Sequence, residues 1–221
     1  MTETEEYLET PLHDWHMHHG GKMSCFGGYH MPLWYQKGVR EEHLTVLLQA
    51  GMFDTSHMAV VMVSGKDSFD LLQYCFSKDL NACVGPKKRP LAPGKSVYGV
   101  FLAPHGYVID DAIISQLDKD LFIICVNAGM GQSVSHHLED EKEGREVAIV
   151  DYTGRLAKVD IQGPASARAL ATVLADPEKV FSRLTYFSCR GHFDPSSPLA
   201  DKVRLVSGAP ILLSRAGYTG E

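Results

Sequence analysis

Three β-forming runs, at residues 97–103, 108–115 and 121–126, follow one another with only hairpin-length connections between them. The connections, Pro104-His105-Gly106 and Leu117-Asp118-Lys119-Asp120, are too short for the crossover helix that parallel neighbours require. Strands joined this way pair antiparallel, as a meander. Around this centre helices and strands are mixed. Residues 40–50 place Leu44, Leu47 and Leu48 at helical spacing and meet Gly51 as a stop. Residues 58–64 are apolar and β-branched, and Asp67 is expected to cap a helix through Phe76 that buries Phe69, Leu72 and Phe76. Residues 85–95, rich in Pro, Gly and Lys, read as an exposed loop, with the run Lys87-Lys88-Arg89 as a solvated tip. Further on, a polar helix is predicted over 132–141 and a helix over 163–174 with Pro164 in its first turn. Short strands are predicted at 147–150, 156–161, 203–206 and 211–214. Strict strand–helix alternation is missing, so the expected class is α+β, with mixed, mainly antiparallel sheets and flanking helices.

Composition narrows the partners. The chain has 221 residues, of which 44% are hydrophobic and 22% charged, with a net charge of −6. That balance is globular and gives no general attraction to nucleic acid or an anionic membrane, so neither is expected as a partner. No apolar run approaches the ~20 residues of a membrane span. The acidic first ten residues carry no signal-peptide pattern. Five cysteines, Cys25, Cys75, Cys83, Cys125 and Cys189, are scattered singly and read as reduced thiols in a reducing compartment. A cytoplasmic location is expected.

The chemistry-bearing candidates are few. Asp110 and Asp111 lie inside a strong strand pattern, where Asp is a poor strand former. Alternation sets Val108, Asp110, Ala112 and Ile114 on one face and Ile109, Asp111 and Ile113 on the other, so the two carboxylates are not expected to form a catalytic dyad. From spacing alone, a solvated edge strand and a functional carboxylate both remain open, and periodicity does not choose between the two Asp residues. His13, His16, His18 and His19 read as a surface cluster rather than a metal site, because Gly20-Gly21 follows and nothing completes a tetrahedral set. Asp54-Thr55-Ser56-His57 holds three residue types of a hydrolase triad, but no G-x-S-x-G elbow accompanies it, and it reads as a turn into the next strand. No phosphate-loop pattern is present. The last residues, Gly217-Tyr218-Thr219-Gly220-Glu221, are turn-like and read as an interrupted sequence.

An ordered set of segments is far more specific than any of these alone. It comprises Thr10-Pro11-Leu12-His13-Asp14, Gly20-Gly21-Lys22-Met23, Phe26-Gly27-Gly28-Tyr29-His30-Met31-Pro32 and Glu42-His43-Leu44. It continues through Phe53-Asp54-Thr55-Ser56-His57-Met58, Gly106-Tyr107-Val108-Ile109-Asp110-Asp111, Val126-Asn127-Ala128, Ile161-Gln162-Gly163-Pro164 and the terminal Tyr-Thr-Gly-Glu. The set resembles the T-protein (aminomethyltransferase) family of the glycine cleavage system over essentially the whole chain. Locally, Tyr29-His30 stands where the family more often has Trp-Glu, and Ala59-Val60 where Gly-Glu is common.

The resemblance implies a folate-binding T-protein-like fold that lacks the family's C-terminal barrel-like domain. It divides the chain into a discontinuous first domain, 1–50 with 151–221, and an inserted α/β subdomain, 51–150, that carries the key carboxylate. It implies an enzyme that moves the one-carbon unit of an aminomethyl group, carried on the lipoyl arm of the H-protein, to tetrahydrofolate. The implied products are 5,10-methylenetetrahydrofolate, ammonia and the dihydrolipoyl arm. Of the two Asp residues the resemblance selects Asp111 as the catalytic carboxylate, with Met58, Tyr98, Val126, Asn127, Tyr218 and Glu221 lining the folate pocket. Alternatives on the same fold are a folate-dependent demethylase with another donor, or a non-catalytic folate-binding or assembly-factor relative. An unfinished sheet edge is also expected to favour self-association.

Overall fold

A computed structural model of the chain describes residues 7–217. In chain order the elements begin with α1 (His13–His18), β1 (Lys22–Phe26), β2 (Tyr29–Trp34), α2 (Gly38–Leu48), β3 (Gly51–Asp54), β4 (Ala59–Ser64) and α3 (Ser68–Cys75). The central hairpins are β5 (Lys95–Leu102), β6 (Val108–Asp118) and β7 (Leu121–Val126). Then come α4 (Gly131–Asp140), β8 (Ala148–Asp151), β9 (Val159–Gln162), α5 (Ser166–Ala171), α6 (Pro177–Phe181), β10 (Ser188–Gly191), a 3-10 turn (Ala200–Lys202) and β11 (Leu212–Arg215). The class is α+β. The predicted meander forms the middle of a seven-stranded sheet in the order β11-β10-β5-β6-β7-β4-β8. Each of its strand pairings is antiparallel. Two two-stranded sheets, β1-β2 and β3-β9, flank it.

Strand alternation divides the side chains of the large sheet between two cores. On one face Val61 and Val63, Phe101, Ala112 and Ile114, and Phe122 and Ile124 meet Leu71, Leu72, Val134 and Leu138 from α3 and α4. On the other face Val60, Leu117 and Ile123 pack with Cys189 and Leu199, so that end of the face is covered by the later part of the chain. The sheet therefore has one helix-covered face and one partly open face, and the open part lies at the start of β6 and the end of β7. No helix among the described residues is long and apolar enough to cross a membrane.

Several expectations are corrected. Residues 203–206 form no strand; Arg204 and Leu205 make only isolated bridges, to Pro210 and Leu174. The helix expected over 163–174 is confined to Ser166–Ala171. Asp67 occupies the N-cap of α3 without capping it, because its carboxylate accepts the backbone N–H of Glu146 instead, at 2.8 Å. Leu44, Leu47 and Leu48 of α2 are exposed, and Val46 is the buried residue of that helix. Ile109 does not share a face with Asp111. The β5–β6 register skips it, pairing Phe101 with Asp110 and Leu102 with Val108, and this bulge turns Ile109 toward the helix-side core.

The histidine cluster is not wholly on the surface either. His16 is buried, with its Nε2 2.9 Å from Asp54 Oδ2 and its Nδ1 2.6 Å from Tyr35 Oη. Thr10 Oγ1 donates to Asp54 Oδ2 at 2.6 Å and the Ser56 N–H to Oδ1 at 2.9 Å. The Asp54-Thr55-Ser56-His57 segment is thus a structural knot that ties α1 to β3. Among the described residues no group of His, Cys, Asp or Glu is arranged to hold a metal.

The knot makes stability pH-dependent. Burial pushes the Asp54 carboxyl up, but the hydrogen bonds from Ser56, Thr10 and His16 outweigh it and hold the group below its ordinary 3.8. A depressed carboxyl contributes stability that is complete above the unfolded value and is lost as pH falls through the folded one. Burial also lowers His57 and His192 from 6.5, so the unfolded chain binds their protons first and stability begins to fall as pH drops below that value. Thermal melts between pH 3 and 8 should be flat at the top, decline below about pH 6.5 and steepen below about pH 4. Asp54→Ala should cost about 1–3 kcal/mol at pH 7 and flatten the acid limb.

Candidate functional site

The open part of the sheet carries a shallow recess walled by Met58, Tyr98, Asp111, Ile113, Cys125 and Asn127. Three neighbouring strands build it. Tyr98 lies on β5, Asp111 and Ile113 on β6, and Cys125 near the end of β7, while Asn127 follows the last residue of β7. Asp111 pairs in register with Val100, and Ala112 with Val126, so β7 ends one position short of Asp111. That ending lets the side chain of Asn127 reach the carboxylates of β6.

Asp111 is held from two sides. Tyr98 Oη donates to its Oδ2 at 3.0 Å, and Asn127 Nδ2 donates to its Oδ1 at 2.7 Å. Tyr98 itself is 45% exposed. The hydrogen bond to Asp111, and then the Asp111 charge, push the Tyr98 phenol above 10.0, so it stays a donor at neutral pH. On the other side of the strand Asp110 is buried and accepts both the backbone N–H of Asn127 and its Nδ2, each at 2.8 Å. Alternation correctly separates the two carboxylates, yet one asparagine bridges them.

The remaining wall is apolar and chemically quiet. Burial raises the Cys125 thiol above 9.0, which keeps it protonated and a poor nucleophile. Met58 closes one side, and Lys158 Nζ lies 3.9 Å from its sulfur while paired to Asp160 at 2.8 Å. The recess as a whole offers one accessible carboxylate, a phenol and an amide beside apolar surface. Such a set of groups can accept hydrogen bonds from N–H donors or stabilise a developing positive charge.

Five of the residues singled out from sequence, Met58, Tyr98, Asp111, Val126 and Asn127, border this recess. Val126 does so through its backbone, because its side chain is 1% exposed and belongs to the helix-side core. Tyr218 and Glu221 lie outside the described residues. Sequence reasoning missed Cys125 and Ile113, which alternation would have placed beside Asp111 once the β6–β7 register was known. It also set Asp110 aside.

Comparisons with known proteins converge. The profile described as the GCVT N-terminal domain matches residues 12–221. An aminomethyltransferase of Chlorobium phaeobacteroides is 34% identical over 96% of this chain and 52% of its own length. One from Corynebacterium aurimucosum is 31% identical over 98% of the chain and 53% of its own length. Among solved structures, the glycine cleavage system aminomethyltransferase T from Bartonella henselae superposes with a TM-score of 0.75 at 28% identity. It is matched over 98% of this chain and 52% of its own. The chain thus spans about half the length of the curated relatives it matches.

Proposed function

Because the chain belongs to the GCVT N-terminal domain family, we propose that it supplies the carboxylate-bearing half of a folate-dependent aminomethyltransferase site. In this reading tetrahydrofolate is the acceptor and the donor is an aminomethyl group on the lipoyl arm of an H-protein. The pterin lies against Met58, Ile113 and Cys125, and Asp111 stands beside the nitrogen that takes the carbon. Its negative charge stabilises the cationic one-carbon unit as the carbon's bonds to the amine and to the lipoyl sulfur are exchanged for bonds to two folate nitrogens, releasing ammonia and the dihydrolipoyl arm. A carboxylate in that place can relay the protons that move to those leaving groups. Tyr98 and Asn127 hold the carboxylate in place so that little reorganisation is needed at the moment of transfer. Glu221 is assigned the amino-pyrimidine edge of the pterin, where a carboxylate accepts two parallel hydrogen bonds.

The observation that carries this reading is the Tyr98–Asp111–Asn127 constellation on an otherwise apolar, open stretch of sheet. A Cys125 thiol held protonated by its desolvated surroundings argues against nucleophilic thiol chemistry in the same recess. The test is calorimetric titration of tetrahydrofolate into this chain under reducing conditions. Saturable binding that protects Tyr98 and Asn127 in NMR spectra is the expected result. No binding up to millimolar folate would sink the assignment for this chain.

A further inference from the structure

We propose that Asp110 is a positioning residue for the same recess, acting through Asn127; this rests on the folate reading above. The argument begins with hydrogen-bond capacity. A primary amide has two hydrogens on its nitrogen. In Asn127 one goes to Asp110 Oδ1 at 2.8 Å and the other to Asp111 Oδ1 at 2.7 Å. The backbone N–H of Asn127 goes to the second oxygen of Asp110, also at 2.8 Å. Every donor of Asn127 is therefore committed, and two of the three serve Asp110.

The clamp fixes which way round the amide sits. Reversing it would set the amide oxygen against two carboxylates at hydrogen-bond distance, a repulsion the low-dielectric surroundings of Asp110 make severe. Asp110 is 9% exposed, so its charge needs those N–H groups as partners. Sequence and register explain why it sits there. β7 makes its last pairing with β6 at Val126, leaving the next backbone N–H outside the ladder, and Asp110 takes it. The bulge at Ile109 ends the regular β5–β6 pairing just before Asp110.

The consequence is a recess edge made of acceptors. The amide oxygen of Asn127 has no partner among the described residues, and the carboxylate of Asp111 stands beside it. Together they select a ligand that presents N–H donors there, as the N–H groups beside the carbon-accepting nitrogen of a reduced folate do. Without Asp110 the amide keeps only its bond to Asp111 and can turn, so the edge loses that polarity and Asp111 loses one of the two hydrogen bonds that hold it.

The experiment combines a double-mutant cycle with side-chain NMR. In the parent protein the two Asn127 Nδ2 protons should exchange with solvent slowly, and in Asp110→Asn at least one should lose protection. Tetrahydrofolate affinity should fall about tenfold or more in Asp110→Asn, the loss expected when a hydrogen bond to a charged group is removed. That loss should vanish when Asp110→Asn is introduced into an Asn127→Ala background. Additive losses, or unchanged affinity in a folded Asp110→Asn protein, would overturn the proposal. So would parent Asn127 protons that exchange as fast as a solvated amide, a readout that survives even if Asp110→Asn fails to fold. If the parent bound no tetrahydrofolate, the folate reading would fall, and the clamp would stand or fall on the Asn127 exchange rates alone.

Discussion

Asp111→Asn should lower the affinity of the chain for tetrahydrofolate by roughly 10- to 100-fold, the range for losing hydrogen bonds to a charged group. Melting temperature should move by only a few degrees. The two expectations separate because of where the carboxylate sits. Asp111 is partly exposed at the open end of the sheet, outside the packed clusters, and its partners Tyr98 and Asn127 are both accessible to water when it is gone. An Asn side chain keeps the shape and can still accept from Tyr98, but its NH2 then faces the Asn127 amide, so the charge and one of the two hydrogen bonds disappear. That loss has an independent signature. Since the Tyr98 phenol is raised by its bond to Asp111 and by the Asp111 charge, its titration should shift back toward 10.0 in Asp111→Asn. Unchanged folate affinity beside a shifted Tyr98 would show that the carboxylate is placed as described but has no part in binding.

Much of the fold was legible because its central strands carry their own signal. The runs of β4 and β7 are six residues each, short and rich in β-branched residues, which favours buried strands over helices, and the short links between β5, β6 and β7 dictate antiparallel order. Other elements were hidden for identifiable reasons. β10, Ser188-Cys189-Arg190-Gly191, has no apolar period and exists because β5 and β11 lie on either side to pair with it. The β1–β2 hairpin mixes Lys, Ser, His and Pro, and the local clue to it was Gly27-Gly28, whose positive φ values of 58° and 82° make the turn. At 203–206 the β-branched Val-Arg-Leu-Val pattern misled, since the turn at Gly208 folds the segment back after single bridges.

The site divides the same way. Asp111 stood out as a carboxylate in a strand, but choosing it over Asp110 needed the family resemblance, because alternation says only that the two face apart. What alternation could not supply is where the neighbouring strand stops. Were β7 one residue longer, with the Asn127 N–H spent on the ladder, the buried charge of Asp110 would lose the backbone bond that now satisfies one of its oxygens. Strand ends, unlike strand faces, are set by tertiary pairing, and here a strand end makes the site.

The largest stability loss is expected from the opposite face of β5. Phe101 is fully buried in the helix-side core, with its ring centroid 5.0 Å from that of Phe76, and its backbone is in register with Asp110. Phe101→Ala removes most of an aromatic side chain from a close-packed environment and should cost about 3–5 kcal/mol. That is a large share of the ~5–15 kcal/mol that holds a typical domain together. Urea unfolding should show a lower midpoint at an unchanged slope, whereas a changed slope would mean that the native state itself has loosened. Phe101→Leu, which fills most of the space, should cost no more than about 1–2 kcal/mol. Tyr98→Phe, three residues away and on the other face, should scarcely move the midpoint, yet it removes the hydroxyl that orients Asp111. If Phe101→Ala and Tyr98→Phe instead shifted stability equally, the division of this strand into a packing face and a binding face would be wrong.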